Sequence, residues 1–290
     1  MIRTVETMSG RIEYVDTGTG LPVLYFHGTG AASDAAVLLE QPLVDSGCRL
    51  IIPNRPGYGS TVRGPAGSAD FCAQLASELL HTLSIERAAV IGTSGGGMPA
   101  MAFAEMFPEH TAALILQCAQ THPWTSGEWL PNGLGPWLFL FRHQLFRPLL
   151  RWQNSRHARH SDADPAWCLQ QMAEDRSPEI LTCGNAMNQI AALAAMTRQC
   201  AASPQGIEND WSMLVSSREL MPGAIATPVL LIHDRCDPLV PFRHAEWVHA
   251  RTGNSQLLDI HAGGHLIWFG QDADLMHAAR LEFIQAAITS

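Results

Sequence analysis

The 290-residue chain predicts an α/β fold, a mostly parallel, doubly wound sheet with an inserted helical cap, and three observations carry that prediction. Short apolar runs alternate with segments of helical period at both ends of the chain. The alternation stops between Thr121 and Met221, where strand signals vanish and Trp, Leu, Met, Ala and Arg dominate. Within the first part, from Ala89 to Phe107, a serine stands among glycines where an apolar run meets a helical pattern.

Taken in order, strands are expected near residues 3–7, 11–16, 22–26, 48–52, 88–92, 111–117, 227–233 and 255–260. Helices are expected near 34–45, 69–83, 95–106, 241–251 and 272–287, with Ser68 or Asp70 capping the second and Pro108 ending the third. The division is a core of residues 1–120 and 222–290 interrupted by a cap of residues 121–221. Neither an internal repeat nor a low-complexity tract interrupts it.

Ala89-Val90-Ile91 reads as a buried strand, and Met98, Met101, Ala102 and Phe107 recur at helical spacing. Between them, Gly92-Thr93-Ser94-Gly95-Gly96 fits G-x-S-x-G, a turn that raises a serine on strained backbone and needs small neighbours. The helix beginning under Ser94 turns unpaired N–H groups toward the place where an oxyanion would form. Downstream, Val229–Ile232 is followed by a loop holding Asp234 and Asp237, and a later short strand ends in a loop holding His265. The acids and the histidine thus follow the serine in the order Ser, Asp, His.

Asp237 is preferred to its rival Asp234 as the acid, because Pro238 and Val240-Pro241 make a stiff turn that would hold its carboxylate. Asp259 falls within a strand and reads as a solvated or structurally paired carboxylate. His27-Gly28-Thr29-Gly30 follows the strand-like run Val23–Phe26, and Asn54-Arg55-Pro56-Gly57-Tyr58-Gly59-Ser60-Thr61 follows another at residues 49–53.

With these residues the chain resembles the α/β-hydrolase superfamily over Arg11 to about Gln120 and from Pro222 onward. The resemblance implies a nucleophile at Ser94, a general base and acid at His265, an orienting carboxylate at Asp237, and an oxyanion hole from the N–H groups of Thr29 and Gly95. The second glycine turn is similar to the family's D-R-P-G-x-G-x-S, departing at Asn54, where a carboxylate is usual, and at Thr61, where serine is usual. Dinucleotide binding at Gly28-Thr29-Gly30-Ala31-Ala32-Ser33 fails, since G-x-G-x-x-G ends here in serine and no acid closes the next strand. The His27 side chain is read as satisfied by nearby backbone.

A net charge of −9 without a basic stripe argues against nucleic acid as a partner. No stretch reaches membrane-spanning length and the N-terminus shows no apolar leader, so a cytoplasmic location without stable membrane insertion is expected. Seven cysteines without metal-type spacing read as mostly buried thiols, and neither metal nor cofactor is expected.

Six of the eight tryptophans, Trp124, Trp129, Trp137, Trp152, Trp167 and Trp211, fall in the cap, as lobe core or as lining of an apolar chamber. Pro136–Trp152 reads as a lid helix rather than a lipid-surface helix, its Arg142, Arg147 and Arg151 solvated or paired with Asp162, Asp164, Glu174, Asp175 and Glu179.

The expected activity is acyl-enzyme hydrolysis of a small to medium, largely apolar ester or related carbonyl compound. Cleavage of C–C, amide or N-terminal prolyl bonds and acyl transfer stay open on the same triad. For a prolyl peptidase, Glu128 would be the cap carboxylate. A non-catalytic binder of a hydrophobic signal is the alternative of another class, and homo-oligomerisation is left open.

Overall fold

This computed structural model describes residues 1–124, 163–173, 186–201, 204–262 and 264–288, together with 152, 156, 159 and 160. Among these residues eight strands form one sheet: β1 (Ile2–Thr7), β2 (Gly10–Gly18), β3 (Leu21–Phe26), β4 (Cys48–Pro53), β5 (Ala88–Thr93), β6 (Thr111–Gln117), β7 (Val229–His233) and β8 (Ser255–Asp259). Their spatial order is β1-β2-β4-β3-β5-β6-β7-β8. β2 pairs antiparallel with β1 and β4, and every pairing from β4 through β8 is parallel. β7 opens at Val229 rather than at 227, after Pro228, which has no N–H to give to a ladder.

The helices are α1 (Ser33–Asp45), α2 (Ala69–Thr82), α3 (Gly97–Met106), α4 (Pro165–Ala173), α5 (Ala186–Ala201), α6 (Gln205–Ser216), α7 (Arg243–His249) and α8 (Ala273–Ile288). Ser68 caps α2, its Oγ accepting the Phe71 N–H at 3.0 Å, while Asp70 pairs with Arg218 at 2.9 Å. α3 starts later than the spacing suggests because Ser94–Gly96 form a tight 3₁₀ turn first.

The central strands β5, β6 and β7 are buried at every position and mostly apolar because both faces are covered. Alternate side chains separate into two cores. Leu24, Phe26 and Val90 join α2, α3 and α7 on one face, whereas Val23, Tyr25, Ala89 and Ile91 join α1 and α8 on the other. Met213 and Leu214 of α6 belong to the first core, and Leu169 of α4 with Ile190 of α5 to the second. Among the described residues no helix is long and apolar enough to cross a membrane.

Residues 136–151, read above as a lid helix, and Trp129, Trp137, Glu128, Asp162, Glu174, Asp175 and Glu179 lie outside the described residues. Trp124 and Trp211 pack against the first core, while Trp152 is 55% exposed with the Arg156 guanidinium over its ring. None of Cys48, Cys72, Cys118 and Cys236 is in a disulfide; the first three are buried and Cys236 is exposed.

Candidate active site

Strands β3 to β8 run parallel, so their carboxyl ends open on one edge of the sheet, where ligands of such folds collect. β5 delivers Ser94 there with φ +49°, a left-handed conformation that is strained for a residue with a side chain. The turn closes only because its neighbours are bare. A Cβ at Gly96 would collide with the Phe26 carbonyl, and one at Gly92 would come within 2.6 Å of the Ala100 methyl.

His265 Nε2 lies 3.1 Å from Ser94 Oγ, and His265 Nδ1 lies 2.7 Å from Asp237 Oδ2. The three side chains come from loops after β5, β7 and β8, in the chain order read from the sequence. Asp237 Oδ1 accepts the N–H groups of Leu239 and Val240 at 2.8 and 2.9 Å, so the turn before Pro241 fixes the carboxylate. Burial pushes the Asp237 carboxyl up, but His265 and His233 beside it more than offset this, and it titrates below the ordinary range. His233 is a neighbour the sequence reading missed. Its Nε2 lies 2.8 Å from the Val240 carbonyl and 3.3 Å from Asp237 Oδ2. Its position as the last residue of β7, four before Asp237, was the available signal.

Asp234 takes a different part. It accepts the N–H groups of Cys236, Ala262 and Gly264 at 2.8, 3.1 and 3.2 Å, tying the loop that carries His265 to the end of β7. The His265 N–H itself donates to the Met172 carbonyl of α4 at 2.9 Å. Asp259 faces outward and pairs with Arg235.

The loop His27–Gly30 lies directly against the serine turn. A Cβ on Gly28 would stand 3.3 Å from Ser94 Cβ, and one on Gly95 would collide with Thr29 Oγ1. Thr29 and Gly95 are thereby adjacent, flanking Ser94. His27 is buried and sits within backbone. Its Nδ1–H donates to the Gly28 carbonyl at 2.9 Å and its Nε2 accepts the Arg55 N–H at 3.1 Å. Burial, then the nearby Arg55 charge, holds its pKa well below the usual value, so the ring is neutral. Asn54 is satisfied in place of a carboxylate: its Oδ1 accepts the Ser33 N–H at 2.7 Å and its Nδ2 donates to Glu13. Thr61 Oγ1 accepts the Glu13 N–H at 3.0 Å.

Below the site runs a buried polar network. Glu40 of α1 accepts from Trp268 Nε1 and Gln117 Nε2, each at 2.8 Å, and from Arg280 at 2.6 Å, and Gln117 Nε2 also reaches Thr93 Oγ1 at 2.8 Å. It joins the residue before Ser94 to the segment after His265.

An imidazole nitrogen against the serine hydroxyl, with the other nitrogen on a fixed carboxylate, is an arrangement that can support acyl transfer. Cys118 Sγ, Asp237 and His265 also lie with their donor atoms within 4.8 Å of one another. Burial, then the Asp237 charge, pushes the Cys118 thiol well up, so the sulfur is protonated and a poor nucleophile or metal ligand.

The chain belongs to the α/β-hydrolase fold family, whose model matches residues 22–271. It is 31% identical to the uncharacterized hydrolase YcgS of Bacillus subtilis (strain 168) over 99% of this chain and 100% of that one. It is 28% identical to a pimeloyl-[acyl-carrier protein] methyl ester esterase of Aromatoleum aromaticum over 87% of this chain and 94% of that one. An α/β-hydrolase fold protein from Nakamurella multipartita superposes with a TM-score of 0.80 at 24% identity, covering 99% of both chains. The protein is a hydrolase of this family.

Proposed function

We propose that the chain hydrolyses a small to medium, largely apolar carboxylic ester through an acyl-enzyme on Ser94. The observation that carries this reading is the unbroken relay from Ser94 Oγ through His265 to Asp237, 3.1 and 2.7 Å long. In the first half-reaction His265 Nε2 takes the hydroxyl proton as Ser94 Oγ bonds to the ester carbonyl carbon. The carbonyl electron pair moves onto oxygen, facing the N–H groups of Thr29 and Gly95. Return of that pair breaks the bond to the alkoxy group, which leaves as alcohol with the proton from His265. Water then repeats the sequence on the acyl-enzyme, releasing acid and regenerating the hydroxyl. Asp237, ionised throughout, holds the imidazole in the tautomer that accepts at Nε2 and stabilises its charged form.

The apolar preference is supported by the tryptophan content of residues 121–221 and by an ester hydrolase among the relatives. A homologous series of p-nitrophenyl esters tests both points. kcat/KM is expected to rise with acyl length, by up to about 0.8 kcal/mol per methylene, and then to fall when the site is filled. Stoichiometric labelling of Ser94 by a fluorophosphonate without turnover of any ester would move the chemistry to C–C, amide or prolyl bonds. Absence of labelling would leave a binder of a hydrophobic small molecule and overturn the hydrolytic role of Ser94.

A further inference from the structure

We infer that Asp210 and Tyr58 are positioning residues for the oxyanion hole, so that the seating of helix α6 on the core sets the rate of the chemical step; this rests on the serine-hydrolase reading above. α6 comes from the stretch between the two halves of the core and docks at places that admit no side chain. A Cβ on Gly57 would stand 2.9 Å from the Gln205 carbonyl carbon, and one on Gly67 2.7 Å from that of Ser212. A Cβ on Gly206 would enter the Tyr58 ring. Asn209 Oδ1 adds a bond from the Gly67 N–H at 2.8 Å. A helix held backbone to backbone has little freedom to shift without losing the fit.

From this helix Asp210, 2% exposed, accepts Arg55 through Nη1 and Nη2 at 2.5 and 2.7 Å and the Tyr58 hydroxyl at 2.7 Å. Beyond those partners lie the two sides of the hole. The Tyr58 oxygen accepts the N–H of Gly30, the residue after Thr29, at 2.9 Å. Arg55 reaches the Gly95 carbonyl at 3.3 Å, and its own N–H donates to His27 Nε2 at 3.1 Å. One carboxylate therefore fixes residues on both sides of the serine. Because its proton is committed to Asp210, the phenol presents a lone pair to Gly30, and without Asp210 that orientation is lost.

Burying an ion pair brings little net stability. Aiming two N–H donors at an atom that is negative only in the transition state has a large effect on rate, because donor geometry must hold to within a fraction of an ångström. Loosening this arrangement should lower kcat and leave KM nearly unchanged, since the ground-state ester gains little from the hole.

The test is Tyr58→Phe, which removes one oxygen and leaves the Arg55–Asp210 pair, alongside Asp210→Asn, which leaves the Arg55 charge short of a partner and lowers Tm as well. In Tyr58→Phe, kcat for the best ester of the series is expected to fall about tenfold with KM within about twofold. Binding of an alkylboronic acid, which presents a tetrahedral oxyanion to the hole, should weaken by the same factor while the product acid binds as before. In folded Asp210→Asn the same correlation should hold with a larger loss. A parent-like kcat in Tyr58→Phe, or a fall in kcat without weaker boronate binding, overturns the inference. A parent enzyme whose Ser94 takes no fluorophosphonate overturns the underlying reading first and this inference with it. Labelled parent with unaffected variants sinks the inference alone.

Discussion

Asp234 and Asp237 share one turn, the Asp237 N–H donating to the Asp234 carbonyl at 3.0 Å, and their carboxylates serve different loops. Asp237 faces the imidazole, whereas Asp234 gathers the backbone of residues 236, 262 and 264. Asp237→Asn is expected to lower kcat by about 10²–10⁴-fold with the protein folded, because an amide stabilises the wrong imidazole tautomer. Asp234→Asn is expected to cost about 1–3 kcal/mol of stability and little kcat at temperatures where the variant is folded. Urea melts and steady-state kinetics on the pair separate the two roles. A larger kcat loss in Asp234→Asn would reverse the assignment.

Ser94 combines the reactive hydroxyl with a φ of +49°. Ser94→Ala keeps that backbone problem and removes the oxygen, so activity should drop by about 10³-fold or more while Tm barely moves. Ser94→Gly removes the strain as well and should raise stability by about 1 kcal/mol. Thermal melts of parent, Ser94→Ala and Ser94→Gly decide it: a glycine variant no more stable than the alanine one means that the turn stores no strain.

Glu40 and Arg280 are both fully buried, from α1 and α8, and Glu40 also holds Trp268 and Gln117. Arg280→Met leaves a carboxylate in the core without its cation and is expected to cost about 3–5 kcal/mol. Adding Glu40→Gln keeps an acceptor for Trp268 and Gln117 while removing the charge, so the double variant should regain a good part of that loss. A double variant as unstable as the sum of the single ones would mean that the buried charges are not coupled.

These two buried pairs mark the limit of what the residues disclose in linear order. The strands were legible because each central strand is a short apolar run closed by Gly, Pro or a polar loop, and Ser94, Asp237 and His265 were legible because each lies just past such a run. Arg55–Asp210 and Glu40–Arg280 join positions 155 and 240 residues apart, and no periodicity connects such partners. Asp210 sits in a helix with an ordinary amphipathic pattern, and only the docking of that helix against three glycine contacts turns its carboxylate inward. His233 was missed for a different reason: it lies only four residues before Asp237 but reads as the polar end of an apolar strand.

His277 provides a pH handle on the Glu40 network. Its Nδ1 accepts from Arg280 at 2.7 Å, and burial, then the Arg280 charge, brings its pKa down to about 4 against the opposing pull of Glu40 and Asp274. An unfolded histidine titrates near 6.5, so between about 4 and about 6.5 the unfolded chain binds more protons than the folded one at this site. Stability from this group is therefore complete above the upper value, and it is lost as pH falls toward the lower one. His27, buried and also shifted down, adds a contribution of the same sign that stays in every His277 variant. His277→Gln removes the titration and keeps an acceptor for Arg280, so Tm measured from pH 4 to pH 7 should climb less steeply than in the parent, the two curves differing most at the acid end. Parallel curves would show that His277 is protonated alike in the folded and unfolded chains, and that the Arg280 contact does not hold it neutral.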